Sequence, residues 1–333
     1  MINFFYICIS ILSILNFRQK NDFFRSNIFY LLIFFLIYLF INLLLSVNFS
    51  NSYLRVIKFL LIILFVQEIF NLNDKEEIYF EKIMRFWTIL YTIVTIDIIF
   101  ELIFGFNTLG FKSYLEGRVA SFFGDELIVG TFYHFFSLIV LSYFIKNKYP
   151  NFLVILLIIT IISISFMIGE RANFLKLFFS IILLSLFVLK INFIKKVSLV
   201  FLTLLIIGTI FYSNDSLKKR YYNQISIIYS IDGFKKYFRE SSYGAHQSTA
   251  FEIFKDNKLF GVGLKNFREE SKKNIYENPN YKLTKGRDTT HPHQIHLELL
   301  SEIGLIGYFS FFILMIFSIF ISAKNYLIEK NPY

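Results

Sequence analysis

The stretch TTHPHQIHLELLSEIGLIG, residues 289–307, holds three of the chain's five histidines within six residues, directly ahead of an apolar run. Imidazole is the side chain best suited to exchanging a proton near neutral pH and the commonest metal ligand. Three chemistries are therefore open: a metal site, a catalytic base, or a polar cap on a helix. Pro292 separates the three rings. The residue before a proline avoids the helical region, so His291 is expected to be extended. Proline is favoured at the first helical position, so the helix is expected to start at Pro292 with His293 in its first turn. Unpaired N–H groups and the helix dipole concentrate positive potential there and keep an imidazole neutral. His296 is expected one turn along the same face. Glu298 could join the three rings around a metal, but no strong ligand spacing such as HExxH is present.

A second kind of chemistry needs cations. "EGRVASFFGDE" (residues 116–126) and "MIGERANF" (167–174) place Arg118 and Arg171 in short polar connections between apolar runs. An arginine at a short hairpin tip can anchor at the headgroups, or it can bind an anion through donors that match phosphate geometry. Two such forks suit a pyrophosphate. Asp97 and Glu101 lie four residues apart in the fourth apolar run, near 86–106, on one helical face. Intramembrane carboxylates are costly and usually face a polar interior. They could couple ions in a transporter or pair with an arginine on a neighbouring helix.

These groups must be positioned by membrane helices. The 333 residues are 56% hydrophobic and 17% charged, against about a quarter charged in soluble domains. The apolar residues fall in long runs near 1–17, 27–47, 54–70, 86–106, 127–145, 151–168, 172–189, 197–213 and 303–323. Nine such runs predict an all-α polytopic membrane protein with about nine transmembrane helices. The first run lacks a basic flank and a small-residue cleavage site, so it is expected to be a retained helix. The single cysteine, Cys8, excludes an intrachain disulfide framework. Thirteen Lys and Arg residues fall on one set of short connections and the tail, and six on the opposite set. The first set is therefore expected in the cytoplasm. The remaining fifteen lie in Asn214–Glu302, which falls on the outer side with eleven acidic residues. Three regions follow: 1–213 with eight spans, 214–302 as a helical periplasmic loop, and 303–333 with the last span and a cytoplasmic tail. Within the loop, "SSYGAHQSTAFEIFKDNKLFGVGLKNF" (241–267) predicts an amphipathic helix, a glycine turn and a second helix. "GVG" lacks the third glycine and preceding strand of a dinucleotide site.

The residues resemble the O-antigen ligase and Wzy-type polymerase superfamily of bacterial envelope glycosyltransferases. Its ligases carry His, then Asn, Ser or Gln, nine residues, Gly, two residues, and Gly, Thr or Tyr. Here His293-Gln294 is followed, after nine residues, by Gly304 and then Gly307. "KDNKLFGVGLKNF" is similar to the family stretch ahead of that signature, with Lys258 where proline is common. "GERAN" resembles the hairpin bearing a family arginine. "GRVASFFGDE" resembles an Arg-x-x-Gly-x-Phe element, with Ser121 in the glycine place. The resemblance covers roughly 115–310.

It implies a GT-C-like membrane fold in the bacterial inner membrane, with a periplasmic active site. It implies transfer of a glycan from undecaprenyl pyrophosphate to a sugar hydroxyl of lipid A core, with membrane lipids around the site and no metal, cofactor or nucleic acid. Carried over, His293 activates the acceptor hydroxyl and Arg171 and Arg118 bind the pyrophosphate, with Arg239 a further contact. His291, His296, Gln294, Gly304 and Gly307 shape the site. A Wzy-type polymerase and a protein O-glycosyltransferase differ from the ligase only in acceptor. The rival of a different class is a transporter or flippase of lipid-linked sugars that uses Asp97 and Glu101.

Overall fold

The computed structural model describes residues 22–73, 77–189, 191–228 and 231–329. The expected span at 1–17, Cys8, and the basic residues Arg18, Lys20, Lys75, Lys190 and Lys330 lie outside them. Among the described residues there is no strand. Hydrocarbon offers backbone groups no partners, so apolar runs satisfy them internally as helices. In chain order these are α1 (Asn27–Leu44), α2 (Phe49–Asn73), α3 (Glu77–Phe104), α4 (Val129–Lys146), α5 (Asn151–Met167), α6 (Arg171–Phe187), α7 (Phe193–Ser213), α8 (Asp215–Ile228), α9 (Ile231–Glu240), α10 (Ser242–Asp256), α11 (Phe267–Glu270) and α12 (Ile295–Glu329). Side-chain caps fix several starts. Ser26 Oγ accepts from Phe29 N at 3.2 Å, and Asn192 Oδ1 accepts from Lys195 N at 3.1 Å.

Six of these helices are long and apolar enough to cross a bilayer: Asn27–Leu44, Phe49–Glu68, Phe80–Phe104, Val129–Lys146, Phe193–Ser213 and Ile295–Asn325. The expected runs at 151–168 and 172–189 form α5 and α6, of 17 residues each. The last apolar run, expected near 303–323, lies within a longer helix whose polar first turns precede it.

The chain divides into two compact units. Of the described residues, one unit takes those up to Asn73 and Ile227–Lys324; the other takes Glu77–Ser226 and those from Asn325. In the first unit, Phe35, Tyr38 and Leu39 of α1 pack with Val56 and Ile63 of α2 and Ile303 of α12. A smaller cluster, Ala250, Ile253, Val262, Phe267 and Tyr276, lies under the loop that follows α10. The second helix expected in that loop shrinks to the four-residue α11, because residues 257–263 pair with α12 instead. In the second unit, Ile98, Tyr133, Leu141, Ile158, Leu177 and Ile181 join α3 to α6 in one core. Helix α7 leaves Phe201, Leu204 and Leu205 exposed, as a lipid-facing helix does.

Candidate functional site

The histidine stretch is built on a break in α12. Helical geometry fails at Gly304 (φ 61°, ψ −170°), a conformation open essentially to glycine alone. The break frees backbone groups on both sides, and the loop after α10 takes them up. Val262 N donates to Ser301 O at 2.9 Å and Gly263 N to Glu302 O at 2.8 Å; Leu305 N donates to Lys258 O at 2.8 Å. The approach is so close that a Cβ on Gly304 would lie 2.3 Å from Leu259 O, and one on Gly261 2.4 Å from the carbonyl carbon of Glu302. Helix α1 closes the joint. Tyr38 donates to Ile303 O, and Asn42 Nδ2 donates to Phe260 O at 2.7 Å and Glu302 O at 3.1 Å. Gly307 lies against the Tyr38 ring. The two signature glycines thus serve one interlock.

The helix starts at Ile295 rather than at Pro292. Gln294 is the reason: its Oε1 accepts from Leu297 N at 2.6 Å, capping the first turn, and its carbonyl accepts from Glu298 N. His293 therefore stands just outside the helix, in the left-handed region (φ 56°). A non-glycine residue held there is strained and marks a position fixed by its surroundings. The His293 ring centroid lies 4.2 Å from that of His291, 5.5 Å from that of His246 and 5.3 Å, edge to face, from that of Tyr243. Burial, then the neighbouring His291 and His246, lower its pKa below the usual imidazole value. The neutral state expected from a helix terminus is therefore produced by other causes. His296 points elsewhere, with Nδ1 3.0 Å from the Tyr308 hydroxyl and its ring against Phe312.

His246 of α10 is the member that sequence reasoning missed. It is buried, and its Nε2 lies 3.1 Å from Gly286 O. A carbonyl only accepts, so Nε2 carries the proton and Nδ1 holds the lone pair. That Nδ1 is buried without a partner. Burial is also the main reason its pKa is lowered. Among the described residues, no group of three or more His, Cys, Asp or Glu side chains is arranged to hold a metal ion.

The arginines Arg118 and Arg171 belong to the other unit, where their two sequence elements meet backbone to backbone. Val119 N donates to Ile168 O at 3.2 Å, and a Cβ on Gly169 (φ 77°) would lie 1.9 Å from Gly117 O. Arg118 pairs with Glu170 at 2.7 Å and donates to Leu127 O, while its Nε is buried without a partner. Arg171 donates to Arg220 O at 2.9 Å, and Arg220 Nε donates to Gly169 O at 2.7 Å. Arg220, at α8, was also missed by sequence reasoning; it sits in the basic run DSLKKR, where only its position marks it out. Burial, then Arg171 and Arg118, draw its pKa below the usual guanidinium value. An open pocket of about 370 Å³ is lined by Glu116, Arg171, Ser216, Lys219 and Arg220. Arg239, exposed at the end of α9, belongs to the unit of the histidines.

Asp97 and Glu101 of α3 are buried, but among the described residues no arginine pairs with them. Asp97 accepts from Thr108 N at 2.9 Å and from Ser121 Oγ at 2.7 Å. Glu101 accepts from Ala120 N at 2.9 Å and Ser121 N at 2.6 Å. Both carboxylates are spent on the connection that carries Arg118. Ser121 has φ 48°, which explains why its place in the motif suits glycine.

A family model described as O-antigen ligase matches residues 152–312, a segment that contains Arg171, Arg220, His246 and His293. No curated protein and no solved structure gave a match. The matched segment is therefore similar to the O-antigen ligase family, within a chain whose described residues hold six helices long and apolar enough to cross a membrane.

Proposed function

We propose that the protein is an O-antigen ligase-like glycosyltransferase. It moves a glycan from undecaprenyl pyrophosphate to a sugar hydroxyl of lipid A core at the periplasmic face of the inner membrane. The observation that carries this reading is the family match, which spans both the GERAN element and the complete histidine signature. His293 is the base: a neutral imidazole, held by strained backbone, takes the acceptor's proton as the oxygen attacks the anomeric carbon. The leaving pyrophosphate is stabilised by Arg171 and Arg118, with Arg220 added from the pocket it shares with Arg171 and Arg239 open to an incoming anion. Pyrophosphate is already a good leaving group, so fixed positive charge matters more than acid catalysis. No metal or cofactor enters this scheme. About nine spans, with 214–302 as the periplasmic loop, complete the proposed topology.

The transporter reading is disfavoured by the carboxylates, because Asp97 and Glu101 are saturated by backbone and hydroxyl donors of one connection. Complementation tests the proposal. In a ligase-null strain with a compatible donor, the chain is expected to restore surface glycan; in a polymerase-null strain it is expected not to restore ladders. Expressed protein with no rescue of the ligase-null strain rejects the ligase assignment.

A further inference from the structure

The chain between α11 and α12 encloses a second pocket, of about 300 Å³, lined by Lys272, Asn274, Glu277, Lys285, Arg287 and Asp288. Its floor is Arg287, only 5% exposed. Arg287 Nη1 donates to Thr284 O at 3.1 Å, and Nη2 donates to Lys272 O at 3.2 Å, Lys273 O at 3.1 Å and Asn274 Oδ1 at 3.5 Å. One guanidinium thus ties the turn at 272–276 to the turn at 284–287, while its Nε stays buried and unpartnered.

The lining sets what chemistry the pocket can hold. Glu277, Lys285 and Asp288 are exposed and make no side-chain hydrogen bond within the described chain, and Asn274 keeps its amide donors. The pocket therefore offers two carboxylate acceptors beside ammonium, amide and guanidinium donors. A phosphate could use the three cations but has few or no protons to give the two carboxylates, which would repel it. A sugar hydroxyl both donates and accepts, so it can use both kinds of group. The volume is at the small end for a ligand site and suits one or two sugar rings. The pocket wall is continuous with the histidine cluster: Gly286, whose carbonyl holds His246, lies between Lys285 and Arg287, and Asp288 is close enough to His246 to raise its pKa.

We infer that this pocket is a saccharide subsite that grips the acceptor glycan through its hydroxyls. The inference rests on the glycosyltransferase reading for its role, but its binding test does not. The full chain is purified in nanodiscs and titrated with core oligosaccharide released by mild acid from the host lipopolysaccharide. Glu277→Ala and Asn274→Ala remove exposed groups that brace nothing but, for Asn274, one long contact to Arg287. Each is expected to weaken binding about tenfold or more, as hydrogen bonds to charged or buried partners do. His293→Ala is expected to bind the oligosaccharide as the wild type does. No binding by the wild type, or unchanged binding in both pocket variants, overturns the subsite. Displacement by inorganic phosphate at millimolar concentration overturns it in favour of an anion site. Transfer that survives His293→Ala would reject the base instead and leave the subsite standing.

Discussion

In the arginine cluster, the guanidinium groups are tied to oxygen: Arg118 to Glu170 and Leu127 O, Arg171 to Arg220 O, Arg220 to Gly169 O. Around His293 the neighbours are rings, and the ring of Asp288's neighbour His246 is anchored by one carbonyl. On the proposed roles, the difference follows from what each group must do. Arginine stays charged in almost any surroundings, so backbone carbonyls can fix its direction without changing its state. Imidazole changes state near neutral pH, and a carboxylate beside it would favour the charged form. A base must start neutral. Here that state is kept by burial and by two further imidazoles, and the direction is fixed by strained backbone and ring contacts.

The largest effect is expected at the ring that has no substitute. His293→Ala should lower transfer by about 10²–10⁴-fold, the usual contribution of a positioned base, with expression and thermal stability unchanged. His293→Asn sharpens the point. Asparagine tolerates the left-handed backbone better than most residues but cannot take the proton. It should therefore be as inactive as alanine, and activity in the asparagine variant alone would make His293 a backbone device. Gly304→Ala is expected to fail differently. Its Cβ would lie 2.3 Å from Leu259 O, in a backbone conformation closed to alanine. A loss on the order of 3 kcal/mol should appear as a lowered melting temperature in detergent.

The break at Gly304 also shows where the sequence was readable. The spacing of His293-Gln294 to Gly304 and Gly307 is visible in one chain, and so are the apolar runs, since hydrocarbon demands them. What Gln294 does was not visible, because a cap depends on where the helix starts, and Pro292 favoured an earlier start. His246 was hidden by distance: α10 returns it to His293, and its residues read as an ordinary amphipathic helix. Asp97 and Glu101 were legible as a pair but not as anchors. Their partners are N–H and hydroxyl groups of the connection after α3, whose positive φ values, among them those at Ser121, Gly124 and Leu127, follow no periodicity.

Among the arginines, Arg220→Ala should cost less than His293→Ala. Arg171 and Arg118 remain to carry the charge, so a drop of about 10–100-fold is expected. Arg220→Lys keeps a charge but loses the planar donor directed at Gly169 O, and it should recover only part of the activity. A lysine variant with full activity would show that this cluster supplies charge alone, without the fixed geometry that sets it apart from the histidines.

The smallest expected effect tests what keeps His293 neutral. Its folded pKa lies below the ordinary imidazole value of 6.5, so the active, unprotonated form persists as pH falls through that value. Transfer should then fall only at more acid pH. His291→Asn removes the nearest ring, and with it the second of the causes that lower the pKa. The acid limb of the rate profile should therefore move upward while staying below its ordinary position, since burial remains the first cause. His246→Asn removes the third cause but also the bond to Gly286 O, so it should shift the limb in the same direction and loosen the loop ahead of His291 as well. A limb that moves downward in His291→Asn would mean that the two rings share a proton rather than repel one, and that a proton is stored in the cluster before the acceptor arrives.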